Sequence, residues 1–254
     1  MRALALALFL TVPVAAQDLV TDRPDFTESA VAVPYRSVQI ETGVTVARLD
    51  LPLGLGATEL SGPEALVRWS FVPGAELRVG LPDAGVIWFD DLVRPDGTVE
   101  VEGATVDGVS DGSLGAKVEL GAVAGWDLAL IGEASVPLGD GNFGSTVVSP
   151  LAILIAGRDV GALSLGTQAE VRWDRVADAV ELAATAVVGT EVAPGVGVFG
   201  ELFGDLVQDE LGLLGHAGVT VAVAPLVQLD LHAAVGLTDA APDALVGAGV
   251  SARF

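Results

Sequence analysis

The chain has 254 residues, with 34 acidic side chains against 12 Lys and Arg, a formal net charge of −22 and no Cys. That charge excludes nucleic acid as a partner, because a phosphate backbone is held by clustered Lys and Arg, and the missing thiols exclude disulfides and thiolate metal sites. Half of the residues are hydrophobic (51 %) and mean hydropathy is +0.60, yet beyond the N-terminus no stretch offers the roughly 18 consecutive apolar residues that a spanning helix needs.

Residues 1–16, MRALALALFLTVPVAA, read as a secretory signal: Arg2, then an apolar run from Ala3, then Val14 and Ala16 at the small-residue cleavage positions, so that the mature chain starts at Gln17. Residues 17–35 form an N-terminal segment around Thr21 to Ser29, TDRPDFTES, which shows no alternation. From Ser37 the period is two. Val38, Ile40, Thr42, Val44 and Val46 take one face, and Gln39, Glu41, Gly43, Thr45 and Ala47 the other. The split recurs over 65–71, 76–82 and 114–122. Further strands are expected at 128–136, 148–156, 162–173, 179–190, 196–205, 213–223, 227–237 and 244–254, the weakest being 148–156, which is apolar on both faces with Pro150 near its start.

The connections alternate in type. Turns at 73–74, 124–126, 157–159, 193–195 and 225–226 are tight, whereas 49–63, 84–112, 137–146, 206–212 and 238–243 read as longer loops. An even-stranded outer-membrane barrel has this layout, with short periplasmic turns, longer external loops and both termini inside. Tyr35, Trp69, Phe71, Trp126 and Phe254 gather at the expected periplasmic rim and Trp173 at the external end of its strand, where amphipathic rings suit the interface. The expected fold is all-β: a transmembrane antiparallel up-and-down β-barrel of about twelve strands over 36–254, in the outer membrane of a Gram-negative bacterium, with an N-terminal luminal segment. A soluble secreted β-sandwich that binds a partner gives the same alternation.

Charge parity marks the lumen. Glu41, Arg68, Glu76, Arg78, Lys117, Glu119, Glu133, Glu170, Arg172, Glu181, Glu201, Asp230, His232 and Arg253 all fall opposite the aliphatic face. Such counter-charged groups either pair into a network that closes the interior or set a field that selects ions. The turn at Pro73-Gly74 places Arg68 opposite Arg78, a repulsive pair unless Glu76 or Glu41 lies between them. Asp230, His232 and His216 can instead orient a base, as a barrel hydrolase would require. Gly108 to Gly112 matches G-x-S-x-G and Gly195 to Gly200 matches G-x-G-x-x-G, but neither stands at the strand-to-helix turn those motifs need. Carboxylates in LGDGNFGS and DDLVRPDG either bridge divalent ions or are solvated; no cofactor or dedicated metal site is expected.

Several stretches carry a family resemblance: TDRPDFTES followed by QIETG (Gln39 to Gly43), AELRVGLP (Ala75 to Pro82), SLGAKVEL (Ser113 to Leu120), SVPLGDGNFGS (Ser135 to Ser145) and the terminal block from Val227 to Phe254. Together they resemble the outer-membrane proteins of the MetA pathway of phenol degradation, often called transporters. The terminal Phe254 also resembles the assembly signal of bacterial outer-membrane barrels. The resemblance implies a barrel of about twelve strands that passes small, aromatic or hydrophobic solutes, with outer-membrane lipid and the barrel-assembly machinery as further partners. This chain departs from the family in having few aromatics and many Ala, Val and Gly. Because both termini of an even barrel lie on the periplasmic side, residues 17–35 are expected to fold into the lumen as a plug. Arg23 would pair with Glu41 or Glu76, Asp22 or Asp25 would face Arg68 or Arg78, and Phe26 would fill the interior; a mobile periplasmic tail is the alternative.

Overall fold

The computed structural model describes residues 19–51, 55–93, 99–101 and 103–254. The expected signal, residues 1–16, lies outside the described residues, as does RPDGT at 94–98. Twelve antiparallel strands close into a barrel: β1 (Val38–Leu51), β3 (Leu66–Val72), β4 (Ala75–Gly80), β9 (Gly112–Val123), β10 (Trp126–Val136), β11 (Pro150–Val160), β12 (Leu163–Asp174), β13 (Ala179–Ala193), β14 (Val196–Val207), β15 (Glu210–Ala224), β16 (Val227–Gly236) and β17 (Ala244–Arg253). Each pairs with the next, and β17 pairs back onto β1 from Gln39 opposite Arg253 to Arg48 opposite Ala244. Closure leaves no unpaired edge in the ring, the condition for a sheet to sit in hydrocarbon.

Alternation gives the wall its two faces. On β9, Leu114, Val118 and Leu120 are exposed and face outward, whereas Lys117 is fully buried and points inward. Leu130, Leu154, Leu182, Val188 and Leu231 continue the outward apolar band. The interior reverses the usual sorting: the largest fully buried side chains include Arg68, Lys117, Gln39, Glu41 and Glu76, residue types that are buried only when paired.

Two stretches expected to be loops are largely strand. Within 49–63 and 84–112 lie β2 (Leu55–Gly62), β5 (Ala84–Phe89), β6 (Leu92–Val93), β7 (Val99–Val101) and β8 (Thr105–Val109). At its inner end β1 pairs with β3, from Val38 to Glu41; from Thr45 outward it leaves β3 and pairs with β2, which continues to β5 and β8. A ribbon thus extends beyond the short β3 and β4. The segment 148–156, expected to be the weakest strand, is the start of β11, and the turn expected at 157–159 lies at Gly161-Ala162 instead, where Gly161 takes a positive φ of 64°. Strand β17 ends beneath Val38, whose backbone exchanges hydrogen bonds with that of Phe254, while the Phe254 ring stays 74 % exposed.

Candidate functional site: the lumen and the segment within it

Residues 19–35 run through the barrel interior. The segment makes no ladder of its own, so its backbone groups need other partners. Inward carboxylates of the wall supply them. Glu41 accepts from the amides of Asp22 (3.0 and 3.2 Å) and Arg23 (2.9 Å). Glu201 accepts from Phe26 N (2.9 Å), Thr27 N (2.7 Å) and the Thr27 hydroxyl (2.6 Å). Glu119 receives Ala32 N at 2.8 Å and Glu76 receives Val33 N at 2.7 Å. Gln168 accepts from Glu28 N and donates to Phe26 O, and Gln39 donates to Val20 O.

The acids of the segment reciprocate. Asp22 is buried among Arg78, Arg68 at 3.1 Å and Lys117 at 2.8 Å, and it also accepts from the amide of Ser29. Arg68 and Arg78 do stand directly opposite one another, and Glu76 bridges them, at 2.8 Å from Arg68 Nε and 3.2 Å from Arg78. Glu41 takes Arg68 Nη1 at 2.8 Å, and Glu28 takes Arg78 at 2.7 Å. Burial opposes ionisation of Asp22, but Arg68, Lys117 and Arg78 outweigh it and hold its carboxyl well below the usual carboxylate range. Burial, reinforced by Asp22, pushes Glu28 up to about 8. Four carboxylates, Asp22, Glu28, Glu41 and Glu76, thus surround the three cations, and Glu28 is the one among them whose carboxyl is raised.

Phe26 fills the interior between Phe203, with ring centroids 4.9 Å apart, and His216, at 4.6 Å. Phe199 meets His216 edge-on at 5.1 Å. The aromatics are few, yet these three converge on one place in the lumen. Across from them, Ala30 packs against Ala129, Ile131, Ile153 and Ile155, with Leu151 beside them; this explains why β11 is apolar on both faces.

Several partners differ from expectation. The side chain of Arg23 pairs with Glu64 (2.7 Å) and Asp230 (3.4 Å) rather than Glu41 or Glu76, since only its amide reaches Glu41. Among the described residues no cation pairs with Asp25; burial, with Glu201 next, raises its carboxyl well above the usual range. His216 and His232 are joined at 2.9 Å, but Glu201 orients His216 at 2.7 Å, and Asp230 belongs to Arg23. Ser110 in the G-x-S-x-G stretch receives Asp83 N and donates to Asp111 O, with no base beside it among these contacts. Asp111 and Asp140 spend their oxygens on backbone amides of the 138–145 and 109 region. Arg172 contacts Glu170 (3.2 Å) and Glu181 (3.9 Å) towards the outer mouth, Glu133 lies 3.8 Å from Arg78, and Arg253 is buried near the inner rim. Gln168, Gln228 and Thr185 escaped notice in the sequence although they share the inward parity, and Gln39 stands there on the inward face without a role; Glu64, in the β2–β3 connection, carries no periodic signal.

The segment divides the interior. Towards the outside is a cavity of about 430 Å³ that reaches Glu64, Asp83, Asp111, Glu133 and Glu170; towards the inside are two of about 400 and 380 Å³.

A sequence model described as "Putative MetA-pathway of phenol degradation" matches residues 21–254. The chain belongs to this family. No curated protein matches it. Among solved structures, the family member studied here is similar to the COG4313 outer membrane channel from Pseudomonas putida F1, at 12 % identity and a TM-score of 0.67, covering 89 % of this chain and 98 % of that one. The translocator domain of the autotransporter NalP from Neisseria meningitidis gives 9 %, 0.55, 88 % and 91 %, and a KdgM porin 10 %, 0.52, 86 % and 99 %. At these identities the likeness is one of fold: an outer-membrane β-barrel.

Proposed function

We propose that this protein is a passive channel for small solutes across the outer membrane of a Gram-negative bacterium, held shut at rest by residues 19–35. The observation that carries this reading is the position of that segment between an outer cavity and two inner ones, latched to the wall by Glu41, Glu76, Glu119 and Glu201. Both ends of the barrel hold solvent-sized space, so one irregular segment is what interrupts a continuous path. The titles of similar structures, a channel and a porin, point the same way. A non-enzymatic role also fits the polar groups, because Glu201 is consumed by the segment and by His216 instead of serving a substrate. The exposed outward band fits lipid, and the terminal strand with Phe254 at the rim is the feature the assembly machinery would read.

The test is conductance in planar bilayers. Deleting residues 18–30 should convert rare, small events into steady large steps, with the barrel shown by heat-modifiability to be folded. Unchanged conductance in a folded deletion variant would reject the closed-channel reading.

A further inference from the structure

Arg23 lines the cavity on the outer side of the segment and also one on the inner side. Its guanidinium lies over Gly43 and Gly249, which face each other across the β1–β17 seam, and Asp230 is next to Gly249 on β16. A methyl group on either glycine would run into the guanidinium, so the bare floor is what lets the side chain lie there. On the far side stands Glu64, fixed by its amide to Gly43 O at 2.9 Å and by the Ser61 hydroxyl at 3.0 Å.

The fit of Arg23 in this place is incomplete. A guanidinium engages a carboxylate best through two parallel N–H bonds, yet Arg23 divides itself between two acids. It reaches Asp230 only through Oδ1, at 3.4 Å. Among the described residues, Asp230 Oδ2, on a side chain with no exposed surface, has no hydrogen-bond partner, and neither does the buried Nε of Arg23. An unmatched oxygen on a fully buried carboxylate is costly, and Arg23, whose amide is held by Glu41 and whose Nη1 is held by Glu64, does not meet it.

Building on the channel reading, we propose that Glu64 and Asp230 form a binding station for a small organic cation bearing a guanidinium or primary ammonium group, and that Arg23 occupies the station in its absence. A free cation can turn both of its donors toward Asp230 and so satisfy Oδ2, which the tethered one cannot. It arrives through the outer cavity, where Glu64, Asp83, Asp111, Glu133 and Glu170 outnumber Arg78 and Arg172 and so draw cations in. Displaced, Arg23 leaves the glycine floor, and the outer and inner cavities join along β1, β17 and β16 without release of the latches on Glu41 and Glu201. The gate is therefore one side chain, and the solute that opens it is of the same chemistry.

The experiment compares wild type, Arg23→Ala, Arg23→Ala with Asp230→Asn, and Gly249→Ala in planar bilayers, with guanidinium chloride at millimolar concentration as probe and sodium chloride as control. In wild type, guanidinium should raise conductance where sodium does not; Arg23→Ala should already conduct several-fold more, and there guanidinium resting at the vacated station should block part of the current where sodium does not. Adding Asp230→Asn should weaken that block at least about tenfold, the loss expected when one partner of a buried charge pair is truncated. Gly249→Ala keeps Arg23 but takes away its floor, and should also conduct more. Arg23 is overturned as the gate if Arg23→Ala stays as closed as wild type, and the station is overturned if guanidinium and sodium act alike on a conducting Arg23→Ala. Thermal melting of the folded variants separates this from the channel reading: a guanidinium-dependent rise in melting temperature for Arg23→Ala, absent with Asp230→Asn, supports the station even if nothing conducts, and no rise in either rejects it.

Discussion

Two sides of the lumen hold the same segment by different physics. On the β1, β3, β4 and β9 side, Arg68, Arg78 and Lys117 close around Asp22 with Glu41 and Glu76 between them. On the β10 and β11 side, Ala30 rests on Ala129, Ile131, Ile153 and Ile155. The charged side specifies one position, because each of these carboxylates contacts a cation and a displaced segment leaves buried charge uncompensated. The apolar side adds burial that tolerates small shifts. Specificity and gating therefore belong to the first, and adhesion to the second.

Breaking the charged side should have the largest effect. Asp22→Asn leaves three cations facing two wall carboxylates and should cost about 3–5 kcal/mol of segment docking, as removal of one partner from a buried ion network does. Proteinase K digestion of residues 19–35 in the folded protein should become rapid, and conductance should rise; equal resistance in the variant would show that the network does not hold the segment. Strand β9 allows inward and outward positions to be weighed side by side. Val118→Arg places a charge in the lipid band and should lower barrel stability by about 2–4 kcal/mol, whereas Glu119→Arg should leave the barrel folded and loosen only the Ala32 end of the segment, both read by urea titration of folded protein.

Proton binding sharpens the same comparison. Glu28, facing Asp22, Arg78 and Lys117, has its carboxyl raised to about 8 when docked. A raised carboxyl means that the docked state binds the proton more tightly. Docking is thus favoured below the ordinary Glu value and weakens as pH rises from about 4.5 to about 8, then levels off. Conductance should therefore be lower at pH 6 than at pH 8.5, and Glu28→Gln should reduce that dependence, leaving the part that Asp25, raised in the same direction, contributes. The apolar side should respond least: Ile131→Val or Ile155→Val should each cost about 0.5–1.5 kcal/mol with no change in pH profile.

The ring of strands was legible because its outward face must be apolar and its inward face polar, so that β9 declares itself through Leu114, Val118 and Leu120 against Lys117 and Glu119. The ribbon β2–β5–β8 was not, because stretches such as LGATELSG and AGVIWF are short, sit among Gly, Pro and Asp, and gain their pairing from a change of partner along β1. In the interior, Asp22 opposite Arg68 and Arg78 followed from there being buried cations to match. The partners of Arg23 did not follow, since an irregular segment has no register, and Glu64 lies in a connection that no periodicity marks. The role of Ile153 and Ile155 was visible only as an anomaly, a strand apolar on both faces, until Ala30 was found against them.

The central claim is that the segment rests inside the barrel and closes it. The hydroxyls of Thr27 and Thr185, on the segment and on β13, are in direct contact, and the chain has no native Cys. In a Thr27→Cys, Thr185→Cys variant the two sulfurs fall within disulfide reach. Mild oxidation of this variant in outer membranes should give near-complete cross-linking and low conductance that reducing agent raises. A folded, heat-modifiable barrel that forms no cross-link under oxidation, and conducts alike with and without reductant, would contradict the account.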